Sequence, residues 1–325
     1  MSGRTRLYRD GKLVAEDFPP TEVASRLDQT EHSFAWLDLC RPSPQEIALL
    51  TEEFGMHPLA VEDAVQQAQR AKLDRYDSHL FLNTYMAQMH PDGGLRTSEV
   101  AAFINQRVLI TVRYDERFDV NQLLIRWDEN ADLARYGVAF LIYGLVDALV
   151  DGHFESVQQL DQSLVELQSA MFRPHSETYT QLQERTFQGR RSLVRLRQVA
   201  LPMREVINSM MRPTMHLVSP PMLPYFQDVY DHVLRVIEWT ESLRDLNNAM
   251  LETNLMLQNN TLNLTVKQVT SWAAIIAVPT AITGFFGQNV AFPWNHTIIE
   301  FVVSTVVTIA IAVALFVIFK RRRWL

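Results

Sequence analysis

Small and uncharged polar side chains recur at steps of three and four residues in the last third of this 325-residue chain. Residues at such steps share one face of an α-helix, and large apolar residues such as Trp272, Ile276 and Phe285 fill the other faces. Close helix packing needs small residues, whereas a water-filled path needs hydroxyl and amide oxygens, so the spacing alone leaves both interpretations open. We call this face the stripe; it comprises Asn259, Asn263, Val266, Thr270, Ala273, Ala277, Thr280, Gly284 and Gly287.

The tripeptide Gly287-Gln288-Asn289 ends the stripe. A ring of Asn289 amide carbonyls could hold a hydrated divalent ion through its water shell, because Mg²⁺ gives up water reluctantly. Gly and Asn also cap helix C-termini, so the tripeptide by itself does not choose between these roles. His296 follows in the next segment, and its imidazole suits Zn²⁺ among other metals, although a lone histidine is also common as a solvated residue.

Charged residues are absent from two segments near the C-terminal end. No Asp, Glu, Lys or Arg occurs in the 32 residues between Lys267 and Glu300, or in the 19 residues between Glu300 and Lys320. A membrane span needs about 20 predominantly apolar residues. We therefore expect transmembrane helices at residues 269–287, which carry the stripe from Thr270 onward, and at residues 300–319.

A basic tail follows the second expected span. Residues 320–325 contain one lysine and three arginines, and the positive-inside rule places such a tail in the cytoplasm. Two crossings then place both termini in the cytoplasm and the loop at residues 288–299 outside. The sequence therefore predicts a multi-pass protein of the inner or plasma membrane, in contact with the lipid bilayer.

Charge and composition exclude several classes of protein. The net charge is −7, of which residues 1–266 carry −11, and this sign argues against a nucleic-acid partner. The same charge is compatible with simple solubility or with attraction of cations. A single cysteine, Cys40, excludes an intramolecular disulfide and fits a reducing compartment. The sequence has no glycine-rich phosphate loop and no nucleophile motif, so we expect neither an enzyme nor a cofactor.

The first part of residues 1–223, the expected cytoplasmic domain, is predicted to be mixed α/β. Asp10-Gly11 is a hairpin signal, and Ser43 with Glu46 forms a capping box at a helix start. From about Asp119 onward the pattern is helical. Strands are expected near residues 4–8, 13–15, 34–39, 80–89, 100–105 and 108–114, and long helices near residues 137–171 and 177–211, the second of them largely exposed.

One long helix is expected to lead into the membrane. After Pro224 no proline occurs until Pro279, so residues 225–286 could form a single helix. We expect the segment at residues 224–268 to be its amphipathic stalk. A helix of this length does not stand alone, and copies of the same chain are the expected partners.

At these residues the sequence resembles the CorA family of divalent-cation channels and transporters, which includes the ZntB-type zinc transporters. The resemblance covers nearly the whole chain. Its motifs are Trp36-Leu37-Asp38-Leu39, Phe54-Gly55-Met56-His57-Pro58, Glu62-Asp63, Arg70 with Lys72 and Tyr76, the segment at residues 224–232, and Pro279-Thr280 through Gly287-Gln288-Asn289.

The resemblance implies a homopentamer whose stalk helix lines the pore, with a Gly-Met-Asn signature that matches Gly287 and Asn289. It also places Asp228 near an intracellular site at which bound metal holds the channel closed. Together with the stripe, it favours a pore lined by Asn263, Val266, Val269, Thr270, Ala273, Ala277, Thr280 and Gly284.

Two departures from the family pattern bear on the transported ion. Gln288 replaces the signature methionine, and no acidic residue follows Asn289 before Glu300, which removes an electrostatic attraction for hydrated Mg²⁺. We expect a Mg²⁺ channel that also passes Co²⁺ or Ni²⁺ and is gated by intracellular metal. The alternative is a ZntB-type zinc transporter, with or without proton coupling, in which His296 binds Zn²⁺. Outside transport, the alternative is a two-span receptor or scaffold without ion flux.

Overall fold

The computed structural model describes residues 3–30, 32–66, 69–172, 179–287 and 298–324. The chain divides into two compact units, Met1–Met250 and Leu251–Leu325. The segment limits predicted from the sequence, with divisions at residues 223, 268, 287, 299 and 319, remain predictions.

The first unit contains a seven-stranded mixed sheet in the order β2-β1-β3-β7-β6-β5-β4. All neighbouring strands are antiparallel except β3 and β7, which run parallel. The predicted Asp10-Gly11 hairpin joins β1 to β2, and both turn residues have positive φ, which glycine accepts readily. The strands are β1 (Gly3–Arg9), β2 (Lys12–Glu16), β3 (Ser33–Cys40), β4 (Lys72–Arg75), β5 (Leu80–Met89), β6 (Leu95–Ile104) and β7 (Val108–Arg113).

Helices cover both faces of the sheet. Side chains alternate between the two faces along each strand, so each face carries apolar residues that the helices bury. Trp36 of β3 packs on one face and Leu37 on the other, and both are almost fully buried. One face is covered by α1 (Val23–Asp28), α2 (Pro44–Glu52) and α3 (Pro58–Val65), and the other by α4 (Val120–Glu129), α5 (Val138–Met171), α6 (Tyr179–Met210) and the start of α7 (Leu223–Phe286).

The Trp36-Leu37-Asp38-Leu39 motif forms the centre of this core. The Trp36 ring packs edge-on against Trp127 at 5.0 Å. Asp38 is 1% exposed and accepts hydrogen bonds from the Arg113 guanidinium, with an Nη2–Oδ2 distance of 2.8 Å, and from the Thr111 hydroxyl. The buried aspartate is thus fully paired and serves the structure of the domain, as a buried charge must be paired to be tolerated.

Helices α5, α6 and α7 share a further apolar cluster beyond the sheet. Leu196 of α6 and Leu243 of α7 are buried in it, and the α6 side chains that face the sheet, such as Met203, are buried as well. The expectation that α6 is largely exposed is therefore correct for one side of the helix only. Its charged residues lie on the solvent side and lower the mean hydropathy of the segment, although the opposite side of the helix is apolar.

The second unit contains the remainder of α7 and a separate helix, α8 (Ile298–Arg321). Both helices are long and apolar enough to cross a membrane by length and composition. Pro279 lies inside α7, which continues to Phe286. A mixed α/β N-terminal part, a long stalk helix and an apolar C-terminal helix confirm the predicted fold class.

Candidate functional site

Helix α7 carries the stripe as far as Gly284 on exposed positions, and Gly287 directly follows the helix. Every residue from 255 to 270 is exposed in the single chain, so exposure there does not distinguish one face from another. Val266 and Val269 are 61% and 64% exposed, which is unusual for apolar side chains in a folded protein. From residue 271 onward, burial does separate the faces.

Within the second unit, one side of α7 is half-buried and the stripe lies on the opposite side. On α8 a line of small and apolar residues is likewise half-buried. Ala273, Ala277, Thr280 and Gly284 lie on the exposed side of α7. The half-buried positions are Ala274, Ile275, Val278, Pro279, Ile282 and Phe286 of α7 and Ser304, Thr308, Ala312, Leu315 and Phe319 of α8.

The hydroxyl of Thr280 donates its hydrogen to the backbone carbonyl of Ile276 at 2.9 Å. A threonine bonded in this way still presents oxygen lone pairs as acceptors. An exposed row of amide and hydroxyl oxygens can therefore accept hydrogen bonds from the water shell of a cation, or contact the cation itself, without a charged group.

The end of the stripe is described only as far as Gly287. Its backbone N–H donates to the carbonyl of Thr283 at 2.9 Å, which closes the last turn of the helix. Gln288, Asn289 and His296 lie outside the described residues. Their predicted roles in ion selection therefore stay predictions.

Asp228 lies near the start of α7, and its side chain is 65% exposed. His232 follows one turn later, with 3.9 Å between its Nε2 and Oδ2 of Asp228. Asp228 therefore offers a carboxylate beside an imidazole on an accessible face, the kind of donor pair that divalent metals use.

A cluster of possible metal ligands lies beside this pair. Asp147 and Asp151 of α5 and His232 of α7 each place one donor atom so that all three lie within 4.8 Å of one another. Two carboxylates and an imidazole suit Mg²⁺, Co²⁺ or Zn²⁺ as donors, and the three residues are half-buried rather than fully solvated.

Arg126 of α4 already pairs with both carboxylates of this cluster. It hydrogen-bonds to Asp147, and its Nη2 lies 2.7 Å from Oδ2 of Asp151. Burial lowers the pKa of Arg126, but the hydrogen bond to Asp151 and the two negative charges raise it overall. One guanidinium pairs with two carboxylates, and Asp228 adds a third negative charge beside His232, so the group keeps a negative balance that attracts a further cation.

The pKa values of two groups reflect the burial and the charge around the cluster. Burial raises the pKa of Asp147 despite the opposing pull of Arg126. Burial and the charges of Asp147 and Asp228 also raise the pKa of the nearby Tyr143 to about 12, so its phenol stays protonated at neutral pH.

The sequence analysis names Asp228 but does not name Asp147, Asp151, His232 and Arg126 as site residues. The signal that could have revealed the first two is a pair of carboxylates four residues apart in the otherwise apolar start of α5, since this spacing places both on one face. Arg126 and His232 carry no such signal, because only the packing of α4 and α7 against α5 brings them to the pair.

The profile of the family described as "CorA-like Mg2+ transporter protein" matches residues 31–321. The chain belongs to this CorA family. It is a membrane protein of a transporter family and not an enzyme. The CorA-family assignment agrees with the two membrane-length helices and with the resemblance found in the motifs.

Two relatives illustrate how much of the chain the family covers. The putative metal ion transporter YfjQ of Bacillus subtilis is 31% identical over 267 residues, 82% of this chain and 82% of that protein. The cobalt/magnesium transport protein CorA of Thermotoga maritima is 28% identical over 324 residues, 95% of this chain and 89% of that protein.

Solved structures share the fold. The complete CorA magnesium transporter of Methanocaldococcus jannaschii has a TM-score of 0.80 at 18% identity and covers 99% of this chain and 98% of its own. The cytoplasmic domain of ZntB from Vibrio parahaemolyticus has a TM-score of 0.59 at 13% identity, over 80% of this chain and 100% of its own. At these identities the likeness supports the fold alone.

Proposed function

We propose that this CorA-family protein carries divalent cations through a pore that several copies of α7 form around the stripe. The observation that carries the proposal is the stripe itself: a helix long enough to cross a membrane presents uncharged oxygens and small side chains on the side opposite its half-buried positions. Neutral oxygens suit a hydrated cation, because a permeating ion must bind and also leave.

Mg²⁺ is the proposed physiological ion, with Co²⁺ and Ni²⁺ also passing. Relatives named as cobalt/magnesium transport proteins support this assignment, as does a stripe without the soft or imidazole ligands that Zn²⁺ prefers. The second candidate is proton-coupled Zn²⁺ transport of the ZntB type. The absence of acidic residues between Asn289 and Glu300 and the presence of His296 favour that candidate.

Ion flux into liposomes that contain the purified protein separates these candidates. Mg²⁺, Co²⁺, Ni²⁺ and Zn²⁺ are offered at two external pH values, and empty liposomes serve as the control. Our proposal predicts Mg²⁺ flux that does not require a proton gradient. Zinc flux that rises with the gradient, in the absence of Mg²⁺ flux, would favour the second candidate, and no flux of any ion would indicate a receptor or scaffold.

The proposed orientation places both termini in the cytoplasm, because the basic residues Lys320 to Arg323 follow the apolar part of α8 directly. Chemical labelling of single cysteines introduced at residues 2 and 324 would test it. The proposal predicts labelling only after the membrane is permeabilised, and labelling of either position in intact cells would contradict it. For this test Cys40 is first replaced by alanine.

We further propose that Asp228 and the adjacent Asp147–Asp151–His232 cluster bind the regulatory metal that closes the pore. The negative balance of the cluster supports this proposal, and Arg126 would have to release at least one carboxylate when a metal binds. Without metal, Arg126 stabilises the same carboxylates, so the two cations compete.

Replacement of Asp228 by alanine is predicted to weaken closure, because it removes one negative charge and one ligand from the metal-binding face. The measurement is Mg²⁺ flux at rising internal Mg²⁺; the variant should need several-fold more internal Mg²⁺ for the same inhibition. Asp245→Ala, another exposed aspartate of α7, is the matched control and should behave as the wild type. Unchanged inhibition in Asp228→Ala would contradict the proposed site.

A further inference from the structure

The solvent side of α6 lines two adjoining cavities of about 650 and 450 Å³ in the first unit. The larger is bordered by the turn before β6, and the smaller by the residues before β4. They share Arg195 and Gln198 as lining residues. Volumes of this size are typical of sites for small organic ligands.

The lining of both cavities is strongly basic, although residues 1–266 carry a net charge of −11. No carboxylate lines either cavity in the part of the chain that the structure describes. The lining arginines are Arg70, Arg190, Arg191, Arg195 and Arg197.

Four of these five arginines have no acidic partner among residues 3–30, 32–66, 69–172, 179–287 and 298–324. Only Arg197 is neutralised, by Glu241 at 2.6 Å, and Arg195 reaches just the backbone carbonyl of Leu95 at 3.4 Å. The nearby carboxylate of Asp92 is engaged by Arg96 and by the backbone N–H of Gly94. Planar guanidinium groups without a carboxylate are suited to binding phosphate through two parallel hydrogen bonds.

An aromatic ring lies on the same helix face as these arginines. Phe187 lines the larger cavity and is 43% exposed, which is high for a phenylalanine in a folded domain. Arg190, Arg191, Arg195 and Gln198 follow it at helical spacing, so ring, cations and amide face one groove. An aromatic face next to guanidinium groups fits a ligand with both a flat ring and phosphates.

The groove is also anchored firmly enough to serve as a site. The buried Ser192 hydroxyl accepts a hydrogen bond from the backbone N–H of Leu95 at 3.0 Å, which joins α6 to the start of β6 at the larger cavity. From these observations we infer that the α6 groove binds a nucleoside polyphosphate, with its base on Phe187 and its phosphates on Arg190, Arg191, Arg195 and Arg70.

Calorimetric titration of the full-length protein in detergent tests the inference, with ATP, tripolyphosphate and inorganic phosphate as probes in metal-free buffer. Metal-free conditions prevent the nucleotide from acting by removal of Mg²⁺ from the protein. We expect ATP to bind more tightly than tripolyphosphate and both to bind more tightly than phosphate. Absence of binding by all three probes would overturn the inference.

Variants then assign the binding to the groove. The double variant Arg190→Ala/Arg191→Ala should weaken the binding of ATP and of tripolyphosphate at least tenfold. Arg191→Lys should weaken the binding of both less, because lysine keeps the charge and loses only the planar set of N–H donors. Phe187→Ala should weaken ATP but not tripolyphosphate. Arg26→Ala/Arg117→Ala removes the same charge elsewhere on the surface and should change neither affinity.

Two results would contradict the assignment. An equal loss of affinity in both double variants would show that only overall charge matters, and would overturn the site. Equal effects of Phe187→Ala on ATP and tripolyphosphate would overturn the nucleoside part. Ion flux is not a readout of this experiment, so its outcome is independent of the proposed transport.

Discussion

At the scale of single residues, His153 shows how burial fixes the charge of a side chain. It lies in α5 and is 1% exposed; one ring nitrogen, Nε2, lies 2.8 Å from the carbonyl of Tyr85, and Nδ1 is buried without a hydrogen-bond partner among the described residues. Burial lowers the pKa of His153 to about 4 although the bond to Tyr85 opposes this shift. The ring is therefore neutral at physiological pH and donates through Nε2.

This shift predicts a loss of stability in mild acid. The folded pKa is below the unfolded value of 6.5, so the stabilising contribution is present above pH 6.5 and is lost as pH falls toward 4. The loss for this one group is on the order of 3 kcal/mol. Thermal unfolding of the full-length protein between pH 7 and 4 should show a smaller pH dependence for His153→Gln than for the wild type. An identical dependence in both proteins would contradict the prediction.

At the scale of elements, α7 combines two faces with different roles. One side is half-buried in the unit that contains α8, and the other presents the stripe. Thr280 lies on the stripe, whereas Thr283 lies about a quarter-turn outside it, and both hydroxyls donate to backbone carbonyls of their own helix. The two threonines therefore allow a matched test of the stripe.

Thr280→Val is predicted to lower Mg²⁺ flux several-fold, because valine keeps the shape and removes the oxygen that faces the proposed path. Thr283→Val makes the same chemical change off the stripe and should leave flux within twofold of the wild type. Flux in proteoliposomes with equal protein content is the measurement. Equal losses in the two variants would show that the stripe does not line the path.

Much of the fold follows from the sequence, because the elements have strong local signals. The capping box of Ser43 and Glu46 forms as predicted, and the long α5, α6 and α7 begin and end within a few residues of their predicted limits. The strand β4 was missed, since Lys72–Arg75 is a short, charged edge strand that lacks apolar alternation.

The sequence likewise predicts some of the candidate functional residues and not others. The stripe is visible in the sequence, because its residues belong to one helix and their spacing places them on one face. The Arg126, Asp147, Asp151 and His232 cluster and the α6 groove were not predicted. Tertiary packing brings Arg126 and His232 to the two aspartates of α5, and it brings Arg70 and the turn before β6 to the arginines of α6.

At the scale of the whole molecule, the stalk part of α7 requires partners. Leu255, Met256 and Leu262 are 55%, 64% and 56% exposed in the single chain, and they precede the charge-free membrane segment. A helix with such exposed side chains in water is expected to pack against other helices. Copies of the same chain are the proposed partners, and a pentamer is the proposed assembly.

Leu255 and Leu262 are seven residues apart and therefore lie on nearly the same side of α7. The double variant Leu255→Ser/Leu262→Ser is predicted to shift the protein toward smaller assemblies, as it removes two apolar contacts per chain. Light scattering after size-exclusion chromatography in mild detergent gives the mass. Asn260→Ser changes a residue on another face and should leave the mass unchanged. The same mass for the double variant would contradict this use of the stalk.

The central claim is that a divalent cation passes through a pore that ends at Gly287-Gln288-Asn289. Its most direct test is Mg²⁺ flux into proteoliposomes for the wild type and for Asn289→Ala, with the assembly checked by its mass. We predict Mg²⁺ flux for the wild type, and loss of that flux in a variant that still assembles. Full Mg²⁺ flux through the assembled variant would contradict the account.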